Sequence, residues 1–239
     1  DSYIAIDYVD SNCANDNFEY LTQEIGRAGT ASVNTFSRSL SLSRNDLSMS
    51  GLRMPVDTSH IYNGAFDTFF EMYIGMMERA EGVEDMLPFP YGNNWKPSLF
   101  MGIFSTAEKQ HLFFTEEGTI VTFNEKIETI TEGEGETQIT TTEIIFEEDE
   151  TSDSGYTLEL INQEDGVSTD NMKIISPNGE EMYFDNGGLV TEIREEEPNA
   201  DGSYDKISIF YDEETGMYID YITDGIGRIY DYIYNSHSQ

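Results

Sequence analysis

The stretch "MKIISPNGEEMYFDNGGLVTEIR", residues 172–194, decides the fold. Apolar and polar residues alternate through "MKIIS", "EMYFD" and "LVTEI", the period of a strand with one buried face. Between the runs stand "PNGE" (177–180) and "DNGG" (185–188), and Asn-Gly supplies the positive φ that two-residue hairpin loops require. The stretch therefore reads as antiparallel strands joined by tight corners.

The same texture extends both ways. "TIVTFNEKIETI", "TQITTTEIIF", "YTLELI", "KISIFYD", "MYIDYITD" and "RIYDYIYN" are rich in Ile, Tyr, Phe, Val and Thr, and the corners "EEGT", "EDG", "ADGS" and "TDGIG" fall between runs. This predicts an all-β chain of consecutive hairpins, arranged as a β-sandwich or as an open sheet of stacked units. Laying "MYFDNGGLVTEIRE" (182–195) beside "IFYDEETGMYIDYITD" (209–224) aligns an aromatic-Asp pair, a Gly turn and an apolar strand, with Asp185 and Asp212 27 positions apart. A looser copy is "HLFFTEEGTIVTFNE" (111–125). Hairpins repeated in this way must stack on neighbours to bury their faces.

The first 60 residues also read as strands, less regular ones. One segment departs: Phe66, Phe69, Phe70, Tyr73, Met76, Met77 and Ala80 recur at helical spacing with Gly82 after them, which predicts a short amphipathic helix near 65–81. It reads as a cover for an open face of the sheet, or as a Met- and Phe-rich contact for a partner. The proline-rich loop around Trp95 follows. Two regions are expected, 1–112 with the helical insertion and a more acidic 113–239, or one continuous domain.

The formal charge of −35 is unevenly held: 15 acids and 7 bases up to Leu112, but 32 acids and 5 bases from Phe113 onward. Such a field repels phosphate backbones and anionic lipid heads, so nucleic acids and membrane surfaces are disfavoured partners. No apolar run is long enough to span a bilayer, so no membrane insertion is expected. A lone Cys13 excludes an internal disulfide and a multi-cysteine zinc site. No charged-then-apolar leader opens the chain and residue 1 is Asp rather than Met, so it reads as a mature or excised segment of something longer.

The aromatic-Asp hairpins, with Tyr211-Asp212 in one copy and Phe184-Asp185 in a degenerate one, resemble the RHS or YD-repeat family. The lead-in string at 24–63 is also similar to the segment preceding the repeats in large secreted bacterial RHS-type proteins: Gly26-Arg27-Ala28-Gly29, Val33-Asn34, Asp46-Leu47, Met54-Pro55-Val56 and His60 to Asn63, then "YGNNW" at 91–95. The resemblance spans roughly residues 24–235. It implies a secreted or cell-surface setting and a structural role, with other domains of the same large protein as partners. The helical segment, the long acidic tips and the small number of units depart from the family pattern, and two or three units are too few for a closed shell.

Sequence motifs for catalysis are lacking. Gly-x-Ser-x-Gly does not occur, and His60, His111 and His237 have no metal-like spacing. With 47 acids, some carboxylate pair at glycosidase distance is inevitable and carries no signal. No catalytic residue and no cofactor is assigned. Calcium at the acidic tips "TEGEGET" and "FEEDETSDSG" is an alternative, although Asp149, Asp153 and Gly155 do not match an EF-hand. The functional rival to a scaffold is glycan binding on an aromatic sheet face, for which Trp95, Tyr230, Tyr232 and Tyr234 are the candidates, the three tyrosines being core side chains if that face is covered.

Overall fold

The computed structural model describes residues 20–26, 29–34, 40–48, 53–64, 94–132, 139–149, 154–195, 197–213, 216 and 218–234. The helix expected near 65–81, Cys13 and His237 lie outside these residues. The described chain forms three open antiparallel sheets, each in strict sequence order. The first holds β1 (Tyr20–Glu24), β2 (Thr30–Asn34), β3 (Leu40–Ser48), β4 (Asp57–Asn63) and β5 (Trp95–Pro97). The second holds β6 (Gly102–Ser105), β7 (Gln110–Phe114), β8 (Ile120–Glu132) and β9 (Ile139–Glu148). The third holds β10 (Thr157–Leu160), β11 (Met172–Ile175), β12 (Glu180–Phe184), β13 (Val190–Glu195), β14 (Lys206–Tyr211), β15 (Ile219–Thr223) and β16 (Ile229–Asp231). The all-β reading of consecutive hairpins is the observed architecture.

Alternation sends Ile174, Met182, Ile193, Ile207, Ile209 and Ile222 to one side of the third sheet. They join Val56, Phe100, Ile103, Phe113 and Phe123 in one buried cluster formed by the second and third sheets and by the segments that precede β4 and follow β5. Position 112/113 falls inside β7, and the cluster draws on residues either side of it.

The corners differ from the two-residue loops expected of Asn-Gly. At corners beginning at Thr106, Thr115, Ser176, Asp185, Asn199 and Asp224, the N–H of the first residue donates to the carbonyl four residues on. The N–H of the fourth residue donates back to the carbonyl of the first. The fourth residue has positive φ: Lys109, Gly118, Gly179, Gly188, Gly202 and Gly227. These are three-residue loops ending in a left-handed residue. The opening Ser, Thr or Asp explains the choice, because its oxygen accepts the N–H four residues on: Glu180 N–H to Ser176 Oγ, Leu189 N–H to Asp185 Oδ1, Arg228 N–H to Asp224 Oδ1. In "DNGG" the left-handed residue is accordingly Gly188 rather than the glycine of the Asn-Gly pair.

Corners also join the sheets. Ile103 N–H donates to Gly188 O (2.7 Å) and Val190 N–H to Met101 O (3.1 Å), binding the edge of the second sheet to a corner of the third. Gly225 N–H reaches Met54 O (3.3 Å), and Asn63 Nδ2 reaches Gly118 O (3.3 Å), tying the first sheet to the other two. A Cβ on Gly188 would stand 2.1 Å from Ile103 O and one on Gly225 2.6 Å from Arg53 O, so these approaches need glycine.

The two aromatic-Asp units have the same geometry. Register slips by one residue between Tyr183 and Phe184 against β13, and between Phe210 and Tyr211 against β15, so Phe184 pairs with Val190 and Tyr211 with Ile219. The bulges leave Thr191 and Asp220 as equivalent extra residues. Tyr211 hydroxyl then donates to Val190 O (2.8 Å), and Tyr234 hydroxyl to Ile219 O (2.7 Å). Each tyrosine thus reaches back to the equivalent carbonyl of the preceding unit, and Tyr234, three residues beyond the end of β16, makes the contact that Tyr211 makes one unit earlier.

Candidate functional site

The first sheet carries small polar residues on the face turned toward the second. Cross-strand pairing sets Ser32 beside Ser41 and Ser41 beside Asn63; the next row sets Ser43 beside Ile61 and Ile61 beside Lys96. The Thr115 to Thr119 corner docks against this face through Asn63 and closes a pocket of about 230 Å³. It is lined by Ser32, Ser41, Ser43, Ile61, Asn63, Glu117 and Thr119. Thr119 Oγ1 is engaged by Thr115 Oγ1 (2.8 Å) and Ser32 Oγ by Thr22 Oγ1 (3.1 Å). Sequence reading passed over the serines. Their signal was "SLSLS" at 39–43, whose alternation also permits the leucines to face away from the pocket.

Beside this pocket Lys96 is fully buried, and its Nζ donates to the carbonyls of Pro97, Ser98 and Phe100 at 3.3, 3.2 and 3.1 Å. Burial pushes its pKa down to about 7 against the opposing pull of Glu116 and Glu117. Three carbonyls use all three N–H groups of the ammonium form, so the side chain pins the 97–100 loop instead of offering a cation to a ligand.

A second polar cluster lies on the second sheet. Ser105 Oγ and His111 Nδ1 are 2.8 Å apart, and His111 Nε2 lies 3.9 Å from Glu125 Oε2, with no hydrogen-bond partner among the described residues. Burial lowers the His111 pKa, partly offset by Glu125. The order of groups is that of a serine, its base and an orienting carboxylate. Its setting differs: Ile103 and Thr106 N–H are committed to Gly188 O and Gln110 O, and Glu125 is held by Lys109 at 2.5 Å. Neither amide is available to an oxyanion, and the ring packs edge-on to Phe146.

The predicted glycan residues are distributed over two sheets. Trp95, on β5, packs at 5.4 Å against Tyr62 of β4. Tyr230 and Tyr232 pack against the core cluster; Tyr230 hydroxyl donates to Asp224 at 3.1 Å, and burial pushes Tyr232 up to about 12 despite a hydrogen bond to Thr58. Tyr234 lies against Tyr218. Ile229 and Ile233, on the opposite side of this edge, are 63% and 88% exposed. Through Thr58 and Tyr62, Tyr232 and Trp95 flank one face of β4, where His60 is hydrogen-bonded to Asp46.

The acidic tips fall largely outside the described residues. Among the described residues no group of three His, Cys, Asp or Glu is placed to hold a metal ion, and no helix is long and apolar enough to cross a membrane.

In comparison with known proteins, no family model matches the chain and no curated protein matches it.

Proposed function

We propose that this chain is a non-catalytic structural module of a large extracellular or cell-surface protein of RHS or YD-repeat type, a segment of a scaffold whose partners are other domains of the same protein. The observation that carries this reading is the repeated pair of devices in the third sheet: the equivalent bulges at Thr191 and Asp220, and the back-reaching hydroxyls of Tyr211 and Tyr234. Such a unit is completed by its neighbour, so stability should grow as units are added. Fusing a further copy of residues 212–234 after Tyr234, so that the Asp212 corner follows Tyr234 as it follows Tyr211, tests this. The reading expects a higher unfolding midpoint, as the added hairpin pairs with β16. An unchanged midpoint, with the added copy unprotected from proteolysis, would count against it.

The second reading is a carbohydrate-binding module, favoured by Tyr232, Tyr62 and Trp95 around one face of β4. A glycan array with and without calcium discriminates: binding lost in Trp95→Ala or Tyr232→Ala would favour this reading over the scaffold.

A further inference from the structure

We propose that the pocket between the first sheet and the Thr115 to Thr119 corner binds a single polyhydroxylated primary amine of hexosamine type. The inference concerns the opposite face of β4 from Trp95 and goes beyond the scaffold reading.

Three features set the ligand class. The side chains of Ser41, Ser43 and Glu117 line the pocket and make no hydrogen bond among the described residues, although Glu117 also acts on the Lys96 charge, leaving two hydroxyls and a carboxylate to meet a ligand. Asn63, with its Nδ2 on Gly118 O, fixes the corner that carries Glu117. Ile61 supplies the apolar floor.

Charge then selects within polyols. Among the described residues, the cation beside the pocket, Lys96, is enclosed by three carbonyls, and Glu116 adjoins Glu117 in a chain of net charge −35. An anionic ligand is repelled; an ammonium group is attracted to Glu117, with Ser41 and Ser43 Oγ able to accept from or donate to ring hydroxyls. Size selects a single ring: about 230 Å³ lies below the roughly 300–1,000 Å³ of cavities for larger ligands. Among the described residues no aromatic side chain lines the pocket to give an extended glycan a stacking platform.

Amide-resolved NMR titration of the full chain at low salt with glucosamine, glucose, N-acetylglucosamine, glucosamine 6-phosphate and ethanolamine tests this. Glucosamine should shift the amides of Ser41, Ser43, Asn63 and Gly118. Glucose, N-acetylglucosamine and ethanolamine should each bind about tenfold more weakly, lacking either the cation or the hydroxyls, and the phosphate ester weakest of all. Glu117→Gln should bring glucosamine down to the affinity of glucose, Ser43→Ala should weaken both, and Trp95→Ala should change neither. No shifts with glucosamine, equal affinity for all five compounds, or shifts centred on Trp95 would overturn the proposal. None of these outcomes depends on whether a further hairpin stacks on β16.

Discussion

Substituting Gly188 by Ala removes a close approach that joins two sheets, and its cost can be worked out against a control in the same kind of corner. Gly188 has φ +84°, and left-handed backbone costs an alanine about 1–2 kcal/mol. The new Cβ would also stand 2.1 Å from Ile103 O, so the edge of β6 must move away. That breaks the hydrogen bonds Ile103 N–H to Gly188 O and Val190 N–H to Met101 O, worth about 1 kcal/mol each. The expected loss is about 3–4 kcal/mol from these contributions together. Gly202 has φ +82° with nothing within 4 Å of its missing Cβ, so Gly202→Ala carries only the backbone cost, about 1–2 kcal/mol. Urea unfolding of both variants measures the difference, and melting should separate them by roughly 2–4 °C per kcal/mol. Equal losses would refute the account of Gly188 as an inter-sheet contact, since both corners would then report only their backbone conformation.

Other outcomes follow from the same geometry. Tyr211→Phe and Tyr234→Phe should each cost about 1 kcal/mol by removing the hydroxyl's hydrogen bond to Val190 O or Ile219 O, measured by urea unfolding. Arg194 is stacked between the rings of Tyr183 and Tyr204, 4.2 Å from each, and pairs with Glu181; Arg194→Ala should cost about 2–3 kcal/mol in the same assay, with Lys173 still holding the carboxylate. Burial alone would raise the Glu181 pKa, but hydrogen bonds from Lys173, Tyr183 and Arg194 hold it at about 2. Because the folded value lies below the unfolded one, its contribution is complete above about pH 4.5 and is lost as pH falls toward 2. The stability gap between the natural chain and Glu181→Gln should therefore close across that window. Lys96→Met should lower stability by about 1–3 kcal/mol by removing the ammonium's bonds to the 97–100 loop, where Pro97 O still accepts from Phe100 N–H, and pH-dependent amine labelling should find Lys96 titrating near 7.

The third sheet was legible because one buried face imposes strict alternation, so Ile174, Met182, Ile193 and Ile222 announce both strand and register. The repeat was legible at Asp185 and Asp212, since an aromatic-Asp pair before a Gly corner survives in both copies. What each tyrosine hydroxyl reaches was not, because Val190 O and Ile219 O belong to the preceding unit. The pocket was hidden for a different reason. Alternation in β3 does not say which side faces the core, and Leu40, 39% exposed, lies away from it while Ser41 and Ser43 line the cavity. Lys96 gave no sign either, because its burial depends on three carbonyls that only the folded loop brings together.

Corners join three hairpin sheets, and the second and third share one core with the segments that precede β4 and follow β5. Amide hydrogen exchange at Ile103 and Val190 tests this arrangement most directly, since their N–H groups cross between the second and third sheets. Protection at both equal to that of Ile174 and Ile222 is the predicted result; exchange at the rate of an unpaired sheet edge would contradict it.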